Sequence, residues 1–470
     1  MLIMKGTRRI NTMYEIHFDK PVHVHFMGIG GISMSGIAEI LLNEGFTVSG
    51  SDRAKSVLTE TLEAQGVQIF YKQIASNITD DIDLVVYSAA IAKDNPELLA
   101  AIEQNIPTLT RAELLGQIMK NYDMPIAISG THGKTTTTSM VSEVLMKAET
   151  DPTLSIGGML PSIGGNIRIG KSEYFVTEAC EYTNSFLSFF PKISLILNVE
   201  EDHLDFFKDI HDIRASFHRF AKLLPADGTL IINGDMDGFD VITEGIGCKI
   251  VTFGEKPADT YYYTDLAFDA SAHASFTLHS PLEDAHITLS VPGKHNVLNA
   301  MAAIALSDRL GLPRKISLAA VSSFKGTERR FEHKGKIGGI TIIDDYAHHP
   351  TEIRATLEAA LKTEHKTLWC VFQPHTYTRT KAFLDDFAKA LSLADHVVLA
   401  DIYAAREKNT IGISSKDLAE KIAALGKPCS YFPSFDEIEN FLLEKCSSGD
   451  LLITMGAGDV YKIGENLLGK

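Results

Sequence analysis

The stretch IAISGTHGKTTTTSMVSEVL, residues 126–145, decides how the chain is read. Pro125, Ile126, Ala127 and Ile128 form an apolar, strand-like lead into Gly130, Thr131, His132, Gly133 and Lys134. Four threonines follow, beginning with Thr135 and Thr136, and Met140, Val141, Val144 and Leu145 then recur on one helix face. Strand, glycine-bearing turn, Lys-Thr and helix together make an anion cradle. Its backbone N–H groups and positive helix end face phosphates, Lys134 adds a point charge, and Thr135 offers a hydroxyl to Mg²⁺. The position five before Gly133 is Ile128, so the spacing departs from the full GxxxxGK[ST] pattern. A plain strand–turn–helix with a surface lysine shares this outline, but Gly-Lys-Thr between strand and helix is the more specific signal. It predicts a nucleoside triphosphate site.

The 470 residues are enough for roughly three domains. A hydrophobic content of 45% with 22% charged residues is that of an ordinary globular protein. The net charge of −16 argues against a broad nucleic-acid or anionic-membrane surface, and no apolar run approaches the roughly 20 residues that span a bilayer. MLIMKGTRRINT, residues 1–12, carries positive charge without an apolar run behind it, so it reads as a disordered extension rather than a secretory signal, with Met13 as a plausible start. Five scattered cysteines, with no CxxC pair, suit reduced thiols in the cytoplasm.

Outward from the central stretch, VHVHFMGIGGISMSGIAEILLNEGFTVSGSD (22–52) reads as strand, glycine turn, helix, strand and acidic end. Gly28, Gly30 and Gly31 let backbone approach a phosphate, and Asp52 follows at the distance of a ribose-binding carboxylate. Ser33 stands where the third fingerprint glycine would be, so a tight turn without a ligand is the competing reading. Ser88 and Arg111 fall at element ends, where they cap or reach a ligand. The first domain is expected to close near Asp123. Residues 154–170, LSIGGMLPSIGGNIRIG, read as a glycine-rich loop that exposes Asn166 to a polar ligand.

Glu178 and Glu181 end one strand, and EEDHLD (200–205) ends the next. Carboxylates and a histidine at strand C-termini suit an α/β ligand site, with Glu178 and His203 as direct or water-mediated Mg²⁺ partners and Mn²⁺ equally suited to the imidazole. Residues 249–292 look like an antiparallel addition. Asn296 and Asn299 share a helix face, where capping and adenine recognition are equal readings. Arg329 and Arg330 sit beside an expected hinge, where guanidiniums clamp phosphate charge. A strand then ends in Asp344 and Asp345, followed by Tyr346, His348 and His349; the paired histidines are not read as a metal site. Arg379 lies near a later strand end, and DLLITMGAGD (450–459) completes a second parallel-sheet pattern.

Taken together, HFMGIGGISMSG, SGTHGKTTTT, the Glu178 stretch, NVEEDHLD, HNVLNA, ERRFE, DDYAHHPTE, QPHTYTRT and MGAGD resemble the Mur ligases of peptidoglycan synthesis over about residues 20–465. The resemblance implies an α/β protein of three domains. These are a Rossmann-like UDP-sugar-binding domain (1–122), a central P-loop ATPase domain (123–325) and a Rossmann-like C-terminal domain (326–470) that closes on ATP and amino acid. It implies an ATP-dependent amide ligase that joins L-alanine to the carboxylate of UDP-N-acetylmuramate through an acyl phosphate, acting as a monomer or weak homodimer.

By the same resemblance, Gly130, Thr131, Gly133, Lys134, Thr135, Thr136, Asn296, Asn299, Arg330 and Asp345 would bind ATP. Thr135, Glu178 and His203 would organise Mg²⁺. Gly28, Gly30, Gly31, Ser33, Asp52, Ser88, Arg111, His132 and Asn166 would hold the UDP-sugar. Tyr346, His348 and Arg379 would meet the amino acid. Lys134, Glu178, His203, Arg330 and His348 would carry the chemistry, His348 as the candidate base for the amine.

Three features depart from the common pattern. Cys180 stands where many relatives have aspartate, Thr376 stands where many have arginine, and neither Lys208 nor Lys222 falls in a motif for the modified lysine of sister ligases. The nearest rival adds a whole tripeptide to the same UDP-sugar; QPHTYTRT and EEDHLDFF (200–207) favour the alanine reaction. A nicotinamide-dependent dehydrogenase would leave the Lys134 loop unexplained. A non-catalytic UDP-sugar-binding protein would leave Lys134, Glu178, His203 and Arg330 without a use.

Overall fold

The computed structural model describes residues 14–405 and 407–470. The expected N-terminal extension and the start at Met13 lie outside them. The chain divides into two compact units: one runs to Asp123 and takes in Ser188–Phe190, and the other comprises Met124–Leu187 and Pro191–Lys470.

The first unit is built on a five-stranded parallel sheet in the order Gln68–Phe70, Thr47–Ser51, His23–Met27, Leu84–Tyr87, Thr108–Thr110. The chain winds to one side of His23–Met27 and then to the other, so the crevice of a doubly wound sheet opens where that strand ends, at Gly28. Val24, Phe26 and Met27 are fully buried, as expected of a central parallel strand covered on both faces. Helix Arg111–Met119 begins with a capping box, Thr110 and Glu113 each satisfying the other's backbone N–H. Within that helix a Cβ on Gly116 would fall 1.9 Å from the Ser188 carbonyl oxygen, so only glycine allows Ser188–Phe190 to pack here.

The second unit contains two sheets. The larger has ten strands; the run Lys249–Gly254, Thr229–Asn233, Ile193–Ile196, Met124–Ser129, Tyr174–Glu178 and Thr153–Leu160 is parallel throughout. Met124–Ser129 sits inside it, and helix Lys134–Lys147 packs on helix His295–Arg309. Met140, Val141, Val144 and Leu145 share one core with Val297, Ala300, Met301 and Ile304. Each such aliphatic side chain contributes about 1.5–3 kcal/mol on burial. The core therefore anchors the phosphate loop from behind.

The smaller sheet has six strands, parallel except where Glu332–Ile337 pairs antiparallel with Ile340–Asp345. Asp344 and Asp345 are thus the buried C-terminal end of the strand next to the sheet edge.

Two expectations need correction. The glycine-rich stretch 154–170 contains a hairpin, Thr153–Leu160 with Gly165–Arg168, rather than a loop. Gly157 and Gly170 allow close approach: a Cβ on Gly157 would lie 2.5 Å from Glu178 Oε2, and one on Gly170 2.0 Å from the Asp151 carbonyl oxygen. In 249–292, Lys249–Gly254 extends the parallel sheet and Tyr261–Phe268 begins parallel to it. Only the pairings among Tyr261–Phe268, His273–His279 and Ala285–Pro292 are antiparallel.

Candidate active site

The turn after Met124–Ser129 owes its shape to two glycines, Gly130 at φ 146° and Gly133 at φ 82°, conformations that strain any residue with a Cβ. Gly133 precedes helix Lys134–Lys147, so the first free N–H groups of the helix face the loop. Asn198 braces the loop: its Oδ1 accepts the His132 N–H at 2.8 Å and its Nδ2 donates to the His132 carbonyl at 3.0 Å. Lys134 Nζ donates to the carbonyls of Gly130 and Thr131 and pairs with Glu181 Oε2 at 3.0 Å. Burial acts against its charge, but Glu181, Cys180 and Glu178 together outweigh burial and raise the lysine.

Thr135 Oγ1 donates to Glu178 Oε2 at 3.1 Å, and the Gly157 N–H donates to Glu178 Oε1 at 2.6 Å. Burial nevertheless pushes the Glu178 carboxyl up, against the pull of Gly157 and Lys134. A hydroxyl beside a carboxylate that burial leaves short of positive charge suits a hard, oxygen-seeking divalent cation. His203, at φ 53°, stacks on Tyr182 with ring centroids 4.4 Å apart, and Tyr182 donates to Asp205 at 2.8 Å. Burial pulls His203 down, favouring the neutral imidazole that a metal requires.

Beside the loop a cavity of about 290 Å³ is lined by His132, Thr136, Asn296, Asn299, Arg330 and Asp345, among others. Neither asparagine caps its helix: Asn296 Nδ2 donates to the Pro292 carbonyl and Asn299 Nδ2 to Asn296 Oδ1. The capping alternative therefore falls. Asp345 is held by the N–H groups of Phe331 and Ala347, yet burial pushes it up to about 6.

The two adjacent arginines part ways. Arg330 lines the cavity, whereas Arg329 pairs with Asp344 at 2.9 Å, donates to the Gly456 carbonyl and lies over the Tyr461 ring.

Arg379 is buried, with Nε and Nη2 on Asp202 at 3.0 and 2.8 Å and Nη1 at 3.0 Å from His375 Nδ1. His348 Nδ1 lies 3.1 Å from the Tyr346 carbonyl, and burial drives this histidine down to about 3. A base whose conjugate acid is that acidic takes a proton from an ammonium poorly.

In the first unit, Gly30 N–H donates to Asp52 Oδ2 at 2.8 Å, the N–H groups of Gly28 and Ile29 donate to the Ser51 carbonyl, and Arg111 Nη1 donates to Ser33 Oγ at 3.0 Å. Ser88 Oγ accepts the Ala90 N–H at 3.3 Å. Of the residues expected to hold the UDP-sugar, His132 and Asn166 belong to the second unit. Sequence reading placed Glu181 and Asp202 among strand-end carboxylates but missed their partners, Lys134 and Arg379. It also gave no role to Asn198, the first residue of NVEEDHLD, which braces the phosphate loop.

Family models match in chain order. Residues 23–123 match the Mur ligase family, catalytic domain; residues 128–307 the Mur ligase middle domain; and residues 329–458 the Mur ligase, glutamate ligase domain. The UDP-N-acetylmuramate–L-alanine ligase of Agathobacter rectalis is 61% identical over 97% of this chain and 100% of its own length. That of Lachnospira eligens is 59% identical with the same coverage. The crystal structure of the UDP-N-acetylmuramate-alanine ligase of Thermotoga maritima superposes with a TM-score of 0.79 at 30% identity, covering 95% of this chain and 98% of that one. With three domain models in order and near full-length identity of this level, the chain belongs to the Mur ligase family.

Proposed function

We propose that this chain is an ATP-dependent ligase that forms an amide between the carboxylate of UDP-N-acetylmuramate and L-alanine, releasing ADP and phosphate in peptidoglycan precursor synthesis. The observation that carries this reading is the 61% identity to an alanine-adding ligase across its entire length. The phosphate loop, with Lys134 and the Thr135–Glu178 pair beside a nucleotide-sized cavity, supplies the chemistry such a reaction needs.

The muramate carboxylate attacks the γ-phosphorus of ATP, the bond to the bridging oxygen breaks, and ADP leaves. The alanine amine then attacks the acyl phosphate carbonyl, the C–O bond to phosphate breaks, and the amine gives up a proton as the amide forms. Carboxylate and triphosphate repel each other, so the first step depends on positive charge placed in advance. Lys134 and Arg330 supply it from the protein. Thr135 and Glu178, with His203 directly or through water, would hold Mg²⁺, which would neutralise the phosphate oxygens. Asn296, Asn299 and Asp345 line the cavity and are assigned to the nucleoside. Tyr346, His348 and Arg379 are assigned to the amino acid, with His348 as a positioning group in view of its low basicity.

The glycine turn at Gly28–Gly31, with Ser33, Asp52, Ser88 and Arg111, is assigned to the UDP-sugar. Three domains with bounds 1–122, 123–325 and 326–470 accommodate these roles. No helix among the described residues is long and apolar enough to cross a membrane; cytoplasmic residence is part of the proposal.

The test is phosphate release from ATP and Mg²⁺ with UDP-N-acetylmuramate, comparing L-alanine, the tripeptide and no acceptor. Release with L-alanine and a product heavier by one alanyl residue is expected. Release only with the tripeptide would make the chain a tripeptide-adding ligase instead.

A further inference from the structure

The phosphate loop is tied to the first turn of helix Pro350–Ala360 by contacts that the mechanism above leaves unused. His132 Nδ1 lies 3.2 Å from Glu352 Oε1, and His132 Nε2 lies 3.5 Å from Glu200 Oε2. Only Nδ1 has a hydrogen-bond partner; Nε2 makes no hydrogen bond and Glu200 acts on it as a nearby charge, so the two carboxylates together favour the imidazole that carries protons on both nitrogens. Burial opposes that charge, but Glu200 and Glu352 more than offset it and hold His132 up at about 9. The remaining contacts run the same way. Glu352 Oε2 accepts the His348 N–H at 3.1 Å, Thr351 Oγ1 donates to Glu200 Oε2 at 2.7 Å, and the His349 ring packs on His132 at 4.6 Å.

Donor atoms of His132, Glu200 and His349 come within 4.8 Å of one another, a spacing that suits a metal ion. His349 has no lone pair to give, however. Its Nδ1 accepts the Thr351 N–H at 3.3 Å, so its Nε2 carries the proton donated to the Glu201 carbonyl at 3.0 Å. The cluster is an ion-pair network.

Glu352 also lines the cavity assigned to ATP, where an unneutralised carboxylate would repel a polyphosphate. His132 removes that repulsion while using Glu352 as a tether. We infer that Glu352 is a positioning residue for ligation: through His132 it locks the phosphate loop to the turn carrying Asp345, Tyr346 and His348, so that nucleotide and amino acid are presented in one register. This rests on the nucleotide reading of the cavity and is independent of any contact between His132 and the UDP-sugar.

The test compares steady-state kinetics with calorimetric affinity for a non-hydrolysable ATP analogue in wild type, Glu352→Gln, Glu352→Asp, His132→Asn and the double variant. Glu352→Gln is expected to lower kcat about tenfold or more while analogue affinity moves less than about threefold, because misplacement penalises the reacting geometry first. Glu352→Asp should recover part of kcat. Adding His132→Asn to Glu352→Gln should cost less than about twofold more, since both changes break one link.

A Glu352→Gln enzyme within about twofold of wild-type kcat overturns the inference. So does a proportional loss of kcat and affinity, which would mean that Glu352 only shapes the nucleotide pocket, and so do single effects that multiply in the double variant. If Glu352→Gln fails to fold, Glu352→Asp carries the same comparison, with a smaller loss of kcat at near-unchanged analogue affinity. A wild type without ATP-dependent ligation would overturn the proposed function itself, and the inference with it.

Discussion

Lys134 Nζ and the Glu181 carboxylate face each other at 3.0 Å, and the Lys134 ammonium also donates to the carbonyls of Gly130 and Thr131. The protein thus satisfies its own phosphate-loop cation. A triphosphate entering the loop competes with Glu181 for that charge.

Glu181→Gln should therefore act in opposite directions on the free and liganded protein. Glu181 is only 2% exposed, and removing its charge strands a largely buried ammonium. The nucleotide-free protein should lose about 2–3 kcal/mol, somewhat less than a fully buried broken pair because Lys134 remains partly exposed. ATP then replaces the missing anion, so the rise in Tm on adding ATP should exceed that of wild type. Thermal melts with and without nucleotide measure both. An equal or smaller ATP-induced shift in the variant would contradict the competition.

The Thr135–Glu178 pair predicts a strict requirement for a divalent cation. Chelation should abolish phosphate release, and Mg²⁺ or Mn²⁺ should restore it. Glu178→Gln should lower kcat by about a hundredfold or more while leaving UDP-sugar affinity near wild type, since the charge is needed only where phosphate oxygens gather. Undiminished turnover in chelator would remove the metal from the mechanism.

The strands, the glycine turns and the phosphate loop were legible because each is a local pattern: an apolar run, then glycine at a backbone position that demands it. Gly130 and Gly133 are of this kind. What stayed hidden was pairing across long stretches of chain. EEDHLD announces carboxylates at a strand end, but nothing local says that Asp202 meets Arg379 or that Glu200 and Glu352 share His132. The hairpin in 154–170 was missed for a related reason. Its glycines look like loop residues until Glu178 is seen lying over Gly157, where a side chain would displace the Glu178 carboxylate. Arg329 and Arg330 are identical in sequence terms, and only the fold sends one to Asp344 and the other to the cavity.

Asp202 and Arg379 form a pair in which each side chain is 8% exposed. Burial would raise the Asp202 carboxyl, but the Arg379 guanidinium holds it well below the usual carboxylate range. Asp202→Asn and Arg379→Gln should each destabilise by about 3 kcal/mol, because each leaves a buried charge unpaired. The double variant should fall short of the sum by about 1 kcal/mol or more. Denaturant titrations of the three variants close the cycle. Additive losses would show that the pair is not coupled. If Arg379 also meets the alanine carboxylate, Arg379→Gln should raise KM for alanine well beyond the effect of Asp202→Asn.

The His132 network sets a pH window for stability. The folded protein holds His132 at about 9 against an ordinary 6.5, with burial opposed by Glu200 and Glu352. A raised pKa in the folded state means extra stability that is fully present below 6.5 and is lost as pH climbs through 9. Complete loss corresponds to about 3 kcal/mol as an upper limit. His349 and His295 also face His132, but burial holds both below 6.5, with His295 down to about 4, so neither titrates inside the window. Asp345, raised to about 6, loses its contribution mostly below it. Wild type should therefore lose stability between pH 6.5 and 9.5 more steeply than Glu352→Gln, in which one of the two carboxylates no longer holds the proton. The difference between the two curves over that range should be about 1–2 kcal/mol. Denaturant midpoints measured across the range decide the matter, and parallel curves would mean that His132 is not held charged by Glu352.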